Sequence, residues 1–192
     1  MFQEAIADIE TLDIKPSAVV LSIGIVLFNL NEDDNYDTLS QDGRSLYLVL
    51  DGDAQINEFG RTVSFGTVKW WLGQNKAAQT VFASRSLHPK AALEKLVEWL
   101  AGSEPNLWGN GSSFDNVILN SLFADYGVPN PFKFWKDRDL RTLQYIAGGN
   151  KPDIPRGIEH NALDDAQFEV LCAQEYMRRI NGTNLKTKRA RR

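Results

Sequence analysis

The chain is poor in several residue types that usually signal a chemistry. It has one cysteine among 192 residues, so no intramolecular disulfide can form. That residue, Cys172, lies in an apolar-periodic stretch, which suits a small buried hydrophobe better than a nucleophile. No apolar run approaches the length needed to cross a bilayer. The opening "MFQEAIADIE" has no basic segment followed by an apolar one, so the expectation is a cytoplasmic protein with no membrane partner. Basic charge is also scarce outside the C-terminus. Five of the 21 lysines and arginines fall in the last seven positions, which leaves 16 against 25 acids in the rest. Such a body argues against a broad, sequence-independent grip on a nucleic-acid backbone, which needs a basic face. It leaves open a narrow site in which acids carry metal ions, because bound divalent cations invert the local charge.

What is present suits one domain with a real core, with 43% hydrophobic residues and both charge signs well represented. We expect a folded domain over 1–182 and a basic tail over 183–192. The stretch "AVVLSIGIVLFNL" (18–30) is rich in β-branched residues and predicts a central strand buried on both faces. "SLYLVLD" (45–51) predicts a second strand, and "EAIADIE" permits a short one ending in acids. From Ser64 the apolar spacing turns helical. "TVKWWLGQ" predicts a helix, as does "PKAALEKLVEWLAG", in which Pro89 suits a first helical position and Gly102 a stop. "NLWGNGSSFDNVILNSLFADYG" reads as strand, glycine turn and helix; "DLRTLQYIAG" and residues 162–180 read as two further helices. Strands first, then helices enclosing one more strand, predict a mixed α/β domain.

Three acidic groupings stand out. In "DIE", Asp8 and Glu10 would point to the same face of a strand, a repulsive arrangement that hard divalent cations such as magnesium or manganese relieve. Alone, the pair fits two solvated acids at a strand end better than a site. In "GNGSSFDN", Asp115 falls near a helix start, where dipole compensation is its simplest role. Ser112 and Ser113 already offer caps there, which leaves Asp115 free to face a cleft. In "HNALDDA", His160 and Asp165 are five residues apart, about 140° around a helix, so they cannot share one helical face. His160 is therefore expected on a loop and Asp165 in the first turns of a helix starting near 161 or 162, with Asp164 serving the helix N-terminus. A surface histidine beside two dipole-compensating aspartates fits this stretch equally well.

Taken together and in this order, "DIETL", "FDNVIL" and "HNALDDA" resemble the three motifs of the DEDDh group of DnaQ-like 3′-5′ exonucleases, and they span positions 8–166. Within that group the chain is similar to compact bacterial and phage members, of the exoribonuclease-like or exonuclease-VIII-like kind, an impression to which "TVKWWLGQ" and "LWGNG" add. The resemblance implies an α/β, ribonuclease-H-like mixed sheet flanked by helices. It implies that Asp8, Glu10, Asp115 and Asp165 hold two divalent ions, Mg2+ or Mn2+, and that His160 is the general base. Asp8 would bridge the ions, Glu10 and Asp165 would serve the one nearer the attacking water, and Asp115 the other. Histidine suits the base role because its ordinary pKa, near 6.5, leaves it neutral at working pH. The implied substrates are 3′ ends of single-stranded DNA or RNA, contacted by Thr11 and Leu12, and relatives such as ribonuclease T and oligoribonuclease make a homodimer an open expectation. Packing at the strand end is an alternative for Thr11 and Leu12.

Adjacent residues diverge by about 100° on a helix, so of Trp70 and Trp71 one is expected in the core and one, taken as Trp70, on substrate. Phe114 is expected to pack rather than stack, and Arg138 and Arg141 to lie on a solvated helix face, with phosphate contact as the alternative. A ribonuclease-H-like endonuclease and a catalytically silent nucleic-acid-binding module are the rival readings. His-x4-Asp counts against the first, and an intact set of five residues against the second.

Overall fold

In the computed structural model, residues 2–41 and 43–190 are described, with side chains described to residue 182. The expected basic tail, 183–192, lies outside the residues whose side chains are described.

Strand β1 (Glu4–Thr11) pairs antiparallel with β2 (Val20–Phe28). After one turn of helix, α1 (Tyr36–Leu39), β3 (Ser45–Val49) adds antiparallel to the far side of β2. Three helices follow, α2 (Gly52–Phe59), α3 (Phe65–Leu72) and α4 (Pro89–Leu100), with a 3-10 turn at Ala78–Ala83 between the last two. Strand β4 (Asn106–Gly109) then lies parallel to β1, and α5 (Asp115–Tyr126) follows it. A three-residue strand, β5 (Asp137–Asp139), closes the edge parallel to β4, before α6 (Leu140–Ile146) and α7 (Ala162–Ala190). The sheet order is β3-β2-β1-β4-β5. This is the expected mixed sheet flanked by helices, with one strand more than the sequence pattern implied. Among the described residues no helix is long and apolar enough to cross a membrane.

Side chains alternate across a strand, and here the alternation sorts β1 into two jobs. Ala5, Ala7 and Ile9 enter one core with Leu93, Leu96, Ile118, Leu119 and Leu122 of α4 and α5. Ile6 enters the opposite core with Ala166, Val170, Ala173 and Tyr176 of α7. Asp8 and Glu10 share the Ile6 side, beyond the end of that apolar layer. Strand β2 is buried along its whole length, as its β-branched run predicts. Its register skips a residue against Glu10 and Thr11, a bulge at the end of the sheet where such irregularities re-aim side chains.

Gly24 of β2 lies directly opposite Asp8. A Cβ on Gly24 would sit 2.1 Å from the carbonyl oxygen of Ala162, the first residue of α7. Only a residue without a side chain lets the helix start this close to the sheet, which is what brings the first turn of α7 over the acids of β1. Gly24→Ala is therefore expected to cost at least ~3 kcal/mol, the upper range for overpacking a filled site, and to lower Tm by about 6–12 °C for a domain of this size. Differential scanning fluorimetry reads this directly; an unchanged Tm would mean that the contact is not tight.

Candidate active site

The four motif carboxylates and His160 meet in one cleft of about 610 Å³, whose lining also includes Thr11, Ile14, Trp70, Phe114, Arg141, Arg156 and Glu169. Separate elements deliver these side chains. Asp8 and Glu10 come from the end of β1. Asp115 is the first residue of α5, drawn in by Gly109, where a Cβ would lie 3.1 Å from both Cβ and Oδ2 of Asp115. Among the described residues no side chain caps helix α5, and Phe114, not Ser112 or Ser113, takes its N-cap position. The cap that sequence reasoning assigned to the serines is thus absent, and the Ser112 N–H donates instead to Asp139 at 2.8 Å. Phe114 both packs against the main core and lines the cleft.

Helix α7 starts at Ala162, with the amides of Leu163 and Asp164 donating to the side chain of Asn161. Asn161 is the cap, while the Asp164 carboxylate accepts the Ile158 N–H at 2.6 Å and so pins the preceding loop. His160, on that loop as expected, has φ 65°, a left-handed conformation that is unfavourable for a residue with a side chain. Its N–H donates to Asp165 Oδ2 at 2.9 Å, which helps hold the backbone there. The imidazole stands edge-on to Trp70, ring centroids 4.7 Å apart, with Nδ1 4.0 Å from Glu10 Oε1. Glu10, His160 and Asp165 each offer a ligand atom, all within 4.8 Å of one another.

Burial and mutual repulsion make the acids hard to ionise together. Burial, then Asp165 and Asp115, push Glu10 up to about 8. Burial pushes Asp115 up to about 7, against the pull of backbone N–H groups, among them that of Ile9, and of Arg141. Asp8 lies well above the usual carboxylate range through burial and, in order, Glu169, Asp115, Glu10 and Asp165. Hard oxygen donors converging with too little positive charge fit a divalent cation such as magnesium or manganese. Two arginines supply part of the balance. Arg156 bonds Asp165 Oδ1 at 2.6 Å and Glu159 at 3.0 Å, and Arg141 lies over Gly111 beside Asn110.

The remaining expected residues divide. Trp70 is 44% exposed and lines the cleft, whereas Trp71 is buried and donates its indole N–H to the Thr11 carbonyl at 2.9 Å. The Thr11 hydroxyl donates to the Asp13 carbonyl at 2.7 Å, and Thr11 lines the cleft. Leu12 packs against the cluster around Trp71 and is not among the cleft-lining residues. Arg138 is on β5 rather than a helix face, bonded to Asn106 and to backbone carbonyls. Arg141 is on a helix but lines the cleft, contrary to the solvated role expected for it. Sequence reasoning passed over Arg156 and Glu169. Glu169 could have been found from its place one turn after Asp165, on the same helical face. Nothing local marks Arg156.

The pattern of the 3′-5′ exoribonuclease Rv2179c-like domain matches residues 3–177. The chain is 23% identical to an exodeoxyribonuclease of Enterobacteria phage T4, over 92% of this chain and 90% of the phage protein. Its fold matches the nuclease domain of 3′hExo, a DEDDh family member solved with rAMP, at a TM-score of 0.55 and 17% identity over 92% of both chains. It also matches S. pombe Pop2p in a form with Mg2+ and Mn2+ bound, at a TM-score of 0.54 and 13% identity over 91% of this chain and 82% of that one.

Carboxyl groups with raised pKa values contribute stability below their unfolded values and lose it as pH rises through the folded ones. Glu10 and Asp115 therefore make the metal-free protein less stable as pH climbs from about 5 to 8. Asp13, Asp34 and Asp139 shift downward, so their contributions are complete below this window and do not oppose the trend. In EDTA, Tm is expected to fall across this range. A flat or rising Tm would contradict the crowding.

Proposed function

The chain belongs to the 3′-5′ exoribonuclease Rv2179c-like domain family and is a 3′-5′ exonuclease of the DEDDh type, and from this premise we propose that it removes nucleotides from the 3′ ends of single-stranded nucleic acid with divalent metal ions and a histidine base. The observation that carries the proposal is the convergence of Asp8, Glu10, Asp115, Asp165 and His160 on one cleft from three separate stretches of the chain. The metal-bound form of Pop2p supports magnesium or manganese at the carboxylates, and two ions suit their number. Bound there, divalent cations supply a Lewis acid that makes water a nucleophile at neutral pH and offsets charge on the leaving 3′ oxygen.

The chain's own groups do the rest. The His160 imidazole, at the cleft wall beside Glu10, takes the proton of the attacking water. Its edge-on contact with Trp70 and the bond from the His160 backbone N–H to Asp165 keep it there. Arg141 places a fixed positive charge where a phosphate enters beside Asp115. The half-exposed face of Trp70 and the exposed Ile14 offer apolar surface to an unpaired base, which suits a single strand rather than a duplex. The family description names RNA and the phage relative DNA, so both belong in the test.

Single-stranded DNA and RNA labelled at the 5′ end, with free or blocked 3′ ends and with Mg2+ or Mn2+, are expected to give ladders from free ends only. Cutting of blocked oligomers would point to an endonuclease, and no product with either metal to a silent module. His160→Ala is expected to lower kcat by about 10²–10⁴ with metal affinity retained, the usual span for a general base; an unchanged rate would remove that role. Trp70→Ala is expected to raise KM by about 5- to 150-fold, the equivalent of losing one stacked base, with little effect on kcat. An unaltered KM would leave Trp70 as a support for His160 alone.

A further inference from the structure

Glu169 is a carboxylate that the three motifs do not account for. It lies one helical turn beyond Asp165 on α7, so both project from the same face of the helix into the cleft. It is only 5% exposed, and its Oε2 is fully buried without a hydrogen-bond partner among the described residues. A buried, unpaired carboxylate oxygen is costly to keep unless something else engages it. Its neighbours sharpen the point. The guanidinium of Arg156, whose charge eases that of Glu169, is already bonded to Asp165 and Glu159. The side chain of Asn110 gives Glu169 partial relief, while Asp115 and Asp165 repel it. Among charged groups, Glu169 is the one that most disfavours ionisation of Asp8. Glu10, His160 and Asp165 form one side of the cleft, with ligand atoms grouped within 4.8 Å. Glu169 lines the same cleft but falls outside that group, and its charge is set against those of Asp8 and Asp115.

We propose that Glu169 is a fifth carboxylate of the metal centre, its unpaired oxygen turned toward a divalent cation held on the Asp8–Asp115 side. The inference rests on the metal-dependent reading of this cleft and adds a donor to it. With four acids shared between two ions, the Asp8–Asp115 side would otherwise hold its cation through few protein oxygens. Glu169 raises that affinity, so that the side fills at lower metal concentration.

Glu169→Gln keeps the shape and the amide contact to Asn110 but removes the charge. Binding of Mn2+ alone to the EDTA-stripped protein, followed by calorimetry and by the loss of free Mn2+ signal in electron paramagnetic resonance, separates the outcomes. Wild type is expected to take up two ions, and Glu169→Gln to hold one unchanged and the other at least tenfold more weakly. Equal Mn2+ affinities at both sites in a folded Glu169→Gln protein would overturn the inference, and would mean that Glu169 is a neutral buried acid with no part in binding. Should Gln fail to fold, Glu169→Asp serves, with the carboxylate drawn back by one methylene and the weaker site again expected to lose affinity; unchanged affinity there would also overturn the inference. Absence of Mn2+ binding to wild type itself would defeat the metal-dependent reading instead, which keeps the two failures apart.

Discussion

Close contact between helix and sheet at Gly24 is the constraint on which the site depends. The carbonyl of Ala162 lies where any side chain on Gly24 would have to go, and Gly24 is the partner of Asp8 across the β1–β2 pair. The start of α7 is thereby held over the acids of β1, and Asp165 and Glu169 are carried in with it. A second glycine, Gly109, does the same for Asp115 at the end of β4. Each approach concentrates negative charge in a place shielded from water, where it is least favourable. The apolar contacts of α7, from Ala166 to Tyr176, are what hold the arrangement against that repulsion. Folding energy stored in packing is thus used to keep a strongly cation-seeking site in being.

The division of labour follows the alternation of β1. One face builds the core with α4 and α5, while the other passes from Ile6 to Asp8 and Glu10 as the apolar layer ends. One unusual backbone conformation falls where chemistry is proposed. His160 is one of two described non-glycine residues with positive φ, and it lies between the loop pinned by Asp164 and the helix capped by Asn161. That strained residue is stabilised by its bond to Asp165, so the proposed base and a proposed metal ligand are set by the same contact.

Much of this was legible from residue pattern. The uninterrupted β-branched run of β2, the Pro89 start of α4 and the glycine that ends α5 at position 127 have local physical causes, and local reading finds them. The division between Trp70 and Trp71 followed from helical geometry, although which of the two faced the cleft did not. The strand β5 was missed because "DRD" has no apolar alternation, and pairing with β4 alone defines it. Helix α2 was missed because it is short and mostly polar, with Asp51 as its cap. The serines before α5 looked like caps because caps are read from residue type, whereas the turn there sends the Ser112 amide to Asp139. Glu169 was legible in principle, one helical turn after Asp165 on α7, whereas Arg141 and Arg156 owe their positions to tertiary approach that no local window contains.

The central claim is that these carboxylates form one divalent-cation centre in the cleft above β1. The most direct measurement is anomalous diffraction at the manganese edge from crystals soaked in Mn2+. The account predicts anomalous peaks enclosed by Asp8, Glu10, Asp115 and Asp165, and their loss in Asp8→Asn crystals. Peaks elsewhere on the molecule, or a cleft free of anomalous signal at saturating Mn2+, would contradict it.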